Sequence, residues 1–215
     1  MIQQIKSKKR VADHGEVFTR RQEVKAMLDL MKDDTEKRDD SRYLEPACGD
    51  GNFLIEILAR KLAVVEKIYH SSQREYEFNA VFALACLYGI ELLQDNVIAC
   101  RKRLLNYFQQ QYERLFAEQT QIEVLEVAEF ILSLNILHGN ALTMKNAEHD
   151  EFLHFSEWSK VSFPRKWSLK RHDWIYQELI EQQGKAQSAN GEPYRSIQEY
   201  FSCYFLDIKH AKPVH

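Results

Sequence analysis

The stretch 45-EPACGDGNFL-54 decides how the chain is read. Gly49 and Gly51 stand a single residue apart. Before them lies a short strand candidate, Arg42-Tyr43-Leu44, ending at Glu45-Pro46. After them Leu54, Ile57, Leu58, Leu62 and Val65 recur at helical spacing. A strand, a glycine turn and a helix in that order form a loop that either cradles a ligand or turns a corner. Two phosphate readings fall away on spacing. A dinucleotide fingerprint wants a small residue where Leu54 stands, and an acid ~20 residues on, about half the distance to Glu91. A P-loop needs a G-K-[ST] ending that the sequence lacks.

Working outward, 70-HSSQRE-75 breaks the helical pattern, which resumes through Phe78, Val81, Phe82 and Ala85. The run 86-CLYGIE-91 reads as a buried strand ending in an acid. Asp95 or Asn96 is placed to cap the long helix that follows, lined by Val97, Cys100, Leu104, Phe108, Tyr112 and Leu115. A further helix is expected over Ile122 to Leu132, and a third strand in 134-LNILHGNAL-142. Strand and helix thus alternate three times between residues 42 and 142. This predicts an α/β fold built on an open, doubly wound parallel sheet with right-handed crossovers. Ligands in such sheets bind at the carboxyl ends of the strands. Glu45, Glu91 and Asn140 all fall there.

The flanks read differently. Residues 1–10, with Lys6, Lys8, Lys9 and Arg10, are polar and are expected to form a flexible basic arm. In 14-HGEVFTRRQEVKAMLDLM-31, Thr19 with Gln22 fits a capping box, and Val24, Met27, Leu28 and Met31 form a helical stripe. The run 32-KDDTEKRDD-40 is a charged loop. Residues 150–215 form an aromatic-rich C-terminal extension. Its stretch 152–180, with Trp158, Trp167 and Trp174, suits a hairpin followed by a helix. Residues 184–193 suit a loop, and 198-QEYFSCYFLDIKH-210 is apolar enough to dock. The tryptophans read as core or interface rather than as base-stacking platforms.

With 45% hydrophobic and 28% charged residues, seven glycines and four prolines, 215 residues suffice for one substantial core. A net charge of −3 does not suit a protein that holds nucleic acid unaided. No apolar run reaches the ~20 residues of a membrane span, and the N-terminus lacks the apolar core of a secretory signal. Cys48, Cys86, Cys100 and Cys203 form no C-x-x-C pair and have no histidine cluster beside them, so no metal site is expected. They read as reduced thiols of a cytoplasmic protein.

The string Glu45-Pro46-Ala47-Cys48-Gly49-Asp50-Gly51-Asn52-Phe53 resembles motif I of the amino-methyltransferases, D/E-P-A-C-G-S/D-G-x-F. The resemblance covers about residues 11 to 145 and is nearest to the DNA adenine N6-methyltransferases of restriction-modification systems. It implies a Rossmann-like methyltransferase core over residues 11–149 and S-adenosylmethionine as cofactor. Motif I would hold it through Glu45, Pro46, Ala47, Cys48, Gly49, Asp50 and Gly51, with Phe53 against the adenine. The segment 15-GEVFTRRQEV-24 resembles the preceding motif, whose Phe18 and Thr19 would join the site, Thr19 at the cofactor carboxylate; Arg20 replaces the usual proline. In 88-YGIELLQDNV-97, similar to motif II, Glu91 would accept from the ribose hydroxyls. In 138-HGNAL-142, similar to motif III, Asn140 with Ala141 replaces the usual acid, and its carbonyl would accept the adenine amino group.

The catalytic motif of that family, [N/D/S]-P-P-[Y/F/W], is missing, for the chain has no Pro-Pro. Phe163-Pro164-Arg165 lacks the polar and aromatic members, and Glu192-Pro193-Tyr194 has a single proline. No catalytic residue is therefore assigned. In the resembled fold the missing strand lies beside that of motif I. The expectation is an incomplete core, partnered by a second methyltransferase subunit that carries N-P-P-Y and target recognition and brings DNA to the complex. The alternatives are a non-catalytic S-adenosylmethionine-binding regulatory module and a degenerate methylase.

Overall fold

A computed structural model describes residues 6–14, 16–31, 40–163, 165–181 and 196–214. Gly15, the charged run 32–39, Pro164, the loop 184–193 and the Glu192-Pro193-Tyr194 triplet lie outside the described residues.

The elements run α1 (Lys8–His14), α2 (Arg21–Asp29), β1 (Tyr43–Glu45), α3 (Asn52–Tyr69), α4 (Gln73–Ala85), β2 (Leu87–Glu91), α5 (Gln94–Phe116), α6 (Ile122–Asn135) and β3 (Ile136–Asn140). Then follow β4 (Lys145–Asn146), β5 (His154–Val161), β6 (Ser168–Ile175), α7 (Tyr176–Glu181), β7 (Gln198–Glu199), β8 (Cys203–Tyr204) and a 3-10 turn, Phe205–His210. One sheet has the order β1-β2-β3-β4, parallel except for β4. In the second, β6 pairs antiparallel with β5, β7 and β8.

The three alternations become the parallel sheet, and Glu45, Glu91 and Asn140 are the last residues of β1, β2 and β3. The double winding does not form among the described residues. β1, β2 and β3 lie side by side in chain order, so right-handed crossovers carry every connecting helix to the same face. On that face Leu87 and Ile136 share one apolar cluster with Leu58 and Leu62 of α3, Leu104 of α5 and Val127 of α6. The helix α4 shows why it sits at the centre. Every residue from Tyr76 to Ala85 is buried, so it has no polar face to turn outward.

The opposite face carries Tyr88 and Ile90, which meet Leu153, Phe155 and Tyr176 of the C-terminal extension. One end of the β5–β6 hairpin lies there, with the Tyr88 hydroxyl donating to the Ser156 carbonyl at 3.2 Å. The other end reaches the helices. Trp158 is buried against Phe130 of α6, and the Lys160 ammonium sits 4.5 Å from the Phe82 ring centre of α4. Phe205 and Ile208 dock into the same core, as the apolar run 198–210 suggests. The hairpin and the helix after it form as expected.

Three local expectations shift. The helix after Phe18 starts one residue later than the Thr19 capping box implies. Arg20 takes the N-cap position, and its N–H donates to Glu23 Oε2 at 3.2 Å. Neither Asp95 nor Asn96 caps α5. Leu93 precedes the helix, and both residues lie in its first turn. Lys8, Lys9 and Arg10 belong to α1 rather than to an arm, and Lys6 and Arg10 pair with Asp95 at 2.9 and 2.8 Å.

Candidate functional site

A pocket of about 440 Å³ opens over the carboxyl ends of β1, β2 and β3. Four segments wall it: Glu16–Thr19, the turn from Glu45 to Phe53, Glu91–Asn96 and Gly139–Leu142. The proposed residues Phe18, Thr19, Glu45, Pro46, Ala47, Cys48, Gly49, Asp50, Phe53, Glu91, Asn140 and Ala141 all line it. Gly51 does not. It sits behind the turn, where its conformation is decisive.

The turn needs both glycines. Gly49 (φ +53°) and Gly51 (φ +93°) lie in the left-handed region, which a Cβ penalises. A Cβ on Gly49 would stand 3.1 Å from the Phe18 ring, and one on Gly51 would stand 2.8 Å from Cys100 Sγ. The N–H of Gly51 closes the turn onto the Cys48 carbonyl at 2.8 Å, and Cys48 N–H bonds back to Ile90 of β2 at 3.0 Å. The four cysteines are free thiols. Cys48 is hydrogen bonded to Cys100, and that contact together with burial pushes its thiol well above the ordinary range. It is therefore packing, not a nucleophile.

Glu91 ties two walls together. Its Oε2 accepts from Gly49 N–H at 2.9 Å and its Oε1 from Leu93 N–H at 2.9 Å. Oε1 also accepts from Asn96 Nδ2 at 3.4 Å, so the lone pair left to offer is on Oε2. Glu45, at the end of β1, is raised by burial, which the N–H of Ala47 partly offsets. Asp50 holds Arg103 through Oδ2 at 2.7 Å, while its Oδ1 is buried and meets no donor.

Residues outside the sequence reading complete the walls. Asn52 donates to the Thr19 carbonyl at 3.2 Å and accepts from Arg103 at 3.0 Å, joining the N-terminal segment to the glycine turn. Glu16 accepts from Asn96 at 2.6 Å and from Arg10 at 2.6 Å. The Arg10 hydrogen bond holds the Glu16 carboxyl below its usual range. The signal for Asn52 lies in motif I itself. For Glu16 and Asn96, 80 residues apart, the sequence offers none.

Asn140 is arranged differently from the expectation. Its Oδ1 accepts from the N–H groups of Leu142 at 2.9 Å and Thr143 at 3.3 Å. The carbonyl oxygen is thus consumed by its own turn, and the side chain has only its NH₂ to offer a ligand.

Four carboxylates (Glu16, Glu45, Asp50 and Glu91) line this pocket, and no lysine or arginine does. Glu16 and Asp50 are paired with Arg10 and Arg103, so the acids without an ion-pair partner are Glu45 and Glu91, and the strand ends suit a ligand with hydroxyl or ammonium donors. Among the described residues no group of three His, Cys, Asp or Glu is placed to hold a metal ion, and no helix is long and apolar enough to cross a membrane. Comparison with models of known protein families, with curated proteins and with solved structures finds no match.

Proposed function

We propose that the chain is the S-adenosylmethionine-binding part of an amino-methyltransferase of the DNA adenine N6 class, with a Rossmann-like methyltransferase core that a second subunit completes. The observation that carries the reading is the acidic pocket at the strand ends, with Glu91 bonded to Gly49 across the glycine turn. S-adenosylmethionine supplies, when bound, an electrophilic methyl group on a sulfonium centre.

The residues present suit that group. The volume falls within the ~300–1,000 Å³ of small-molecule sites. The remaining lone pair of Glu91 Oε2 can accept from a ligand hydroxyl. Gly49, without a Cβ, lets the Phe18 ring close against the turn. The side chains of Phe18 and Phe53 offer ring faces, and the Asn140 NH₂ can donate to a ring nitrogen acceptor. Glu45, raised by burial, is stabilised as the anion when a cation arrives. The function of these residues is to bind and orient. The proline motif, target recognition and most DNA contact belong to the partner, consistent with a net charge of −3.

Calorimetric titration of S-adenosylmethionine into the purified chain tests the reading. We expect micromolar binding, weakened roughly 10- to 150-fold by Glu91→Ala, since removing a charged hydrogen-bond acceptor costs about 1.5–3 kcal/mol. Asn140→Asp removes the NH₂ donor and should weaken binding by about tenfold. A wild-type chain that is folded and binds ATP but not S-adenosylmethionine would sink the reading.

A further inference from the structure

Three of the four pocket walls begin at the ends of β1, β2 and β3. The fourth, Glu16–Thr19, is attached differently. It follows α1, a helix of seven residues, too short to hold itself in water. No apolar side chain described between Lys6 and Thr19 is buried, and none joins either apolar cluster. The anchor comes only afterwards. Asn52 holds the Thr19 carbonyl at 3.2 Å, and Val24 and Leu28 of α2 are buried.

What fastens this wall is polar. Arg10 donates to Glu16 at 2.6 Å and to Asp95 at 2.8 Å, and Lys6 pairs with Asp95 at 2.9 Å. Asp95 and Asn96 stand in the first turn of α5, so the contacts tie the N-terminal segment to the opposite side of the pocket. Exposed ion pairs are weak one by one and are screened by salt. An element held by them alone opens locally at much less than the global free energy of unfolding.

Asn96 is the hub of these contacts. It is fully buried, and its Oδ1 accepts from Lys6. Its Nδ2 is shared between Glu16 Oε1 at 2.6 Å and Glu91 Oε1 at 3.4 Å. Glu91 Oε1 also holds the Leu93 N–H, and its Oε2 holds that of Gly49. The Phe18 ring closes on Gly49 from the N-terminal side, where a Cβ would stand 3.1 Å from it. The segment therefore reaches the strand ends twice, through Asn96 to Glu91 and through Phe18 to the glycine turn.

We infer that α1 and Glu16–Thr19 form a lid over the acidic pocket, latched by Lys6 and Arg10 on Asp95 and Glu16, with Asn96 as the positioning residue that couples closure to Glu91. The lid opens to admit a ligand and closes over it, so the strength of the latch sets how fast the ligand enters and leaves. Coupling between two sites is reciprocal, and a bound ligand in turn holds the latch shut. That the enclosed ligand is S-adenosylmethionine rests on the reading above; the lid rests on the latch geometry.

The test uses the full chain and begins without ligand. The Phe18 ring current displaces the Gly49 Hα resonance when the lid is closed, and Phe18→Leu gives the value without the ring. We expect Arg10→Gln, or about 0.5 M salt on the wild type, to move Gly49 Hα toward that value, and the Leu93 amide to move in step with it. Arg10→Lys keeps the charge without the fork and recovers part of the shift. Stopped-flow mixing with S-adenosylmethionine then reads the gate. Arg10→Gln raises both the association and the dissociation rate, the latter roughly 5-fold or more.

Three results would overturn the inference. Gly49 Hα indifferent to salt and to Arg10→Gln in a folded chain makes the wall a fixed one. A Leu93 amide that stays still while Gly49 Hα moves removes Asn96 as the coupling. Faster dissociation with unchanged association makes the segment a ligand contact rather than a gate. The ligand-free measurements keep the two readings apart. If S-adenosylmethionine does not bind while Gly49 Hα and the Leu93 amide answer to salt and to Arg10, the cofactor reading falls and the lid stands.

Discussion

On one face of the parallel sheet four helices bury Leu87 and Ile136 in a continuous core. On the other, Tyr88 and Ile90 meet one end of a hairpin and the short helix α7, with a groove left between. The same three strands serve both faces, so the difference comes from the connections. Right-handed crossovers between strands laid down in chain order stack all their helices on one side. Among the described residues the far side receives what the C-terminal extension delivers. A one-sided sheet is firmly built where the helices lie and unfinished at β1.

Replacing core residues on the two faces sharpens this contrast most. Leu58→Ala, at a fully buried position of α3, should cost about 3 kcal/mol in urea unfolding, within the usual range for a core leucine. Leu179→Ala, at the half-buried groove wall, should cost less than ~1 kcal/mol, because the groove already leaves that side chain partly unpacked. Equal losses would mean that the two faces are equally well packed.

The glycine turn comes next. Gly51→Ala places a Cβ at φ +93° and 2.8 Å from Cys100 Sγ, and about 2 kcal/mol of destabilisation is expected from the strain and the clash together. Cys100→Ala in the same chain should recover the steric part and leave the conformational part. Full recovery would show that the left-handed backbone is not what demands glycine there.

What the sequence made legible divides along the same line. Residues 42 to 142 carry their structure locally: period-3.6 stripes, apolar runs and a glycine turn place Glu45, Glu91 and Asn140 at adjacent strand ends. The double winding is not found among the described residues, and alternation alone does not say in what order strands lie. Thr19 lost the cap to Arg20 because the helix start follows how the segment docks. Thr19 lines the pocket there, and its carbonyl is held by Asn52. The Arg10–Glu16–Asn96 bracing joins Glu16 and Asn96 across 80 positions, so no local pattern announces it. Asn140 kept its place and lost its expected role, since the following turn claims its carbonyl. Side-chain polarity at a site is settled by neighbours that a motif does not name.

The N-terminal bracing gives the smallest effect. The Arg10 hydrogen bond depresses the Asp95 carboxyl from 3.8 to about 2. A group whose folded pKa is lowered stabilises the fold above its unfolded value and loses that contribution as pH falls through the folded one. Wild type should therefore exceed Arg10→Gln in thermal stability above pH 3.8, and the gap should close as pH approaches 2. Asp95 is largely exposed, so salt should shrink the gap as well. A gap that persists at pH 2 would place the role of Arg10 in packing rather than charge.

The central claim is that the acidic pocket at the strand ends receives S-adenosylmethionine. Amide chemical shifts of the full chain, recorded as that molecule is added, test it most directly. The account predicts that Gly49 and Leu93, whose N–H groups bond to Glu91, and Leu142, whose N–H bonds to Asn140, move together and saturate at one affinity. Shifts confined to the hairpin β5–β6, or none at all in a folded chain, would contradict it.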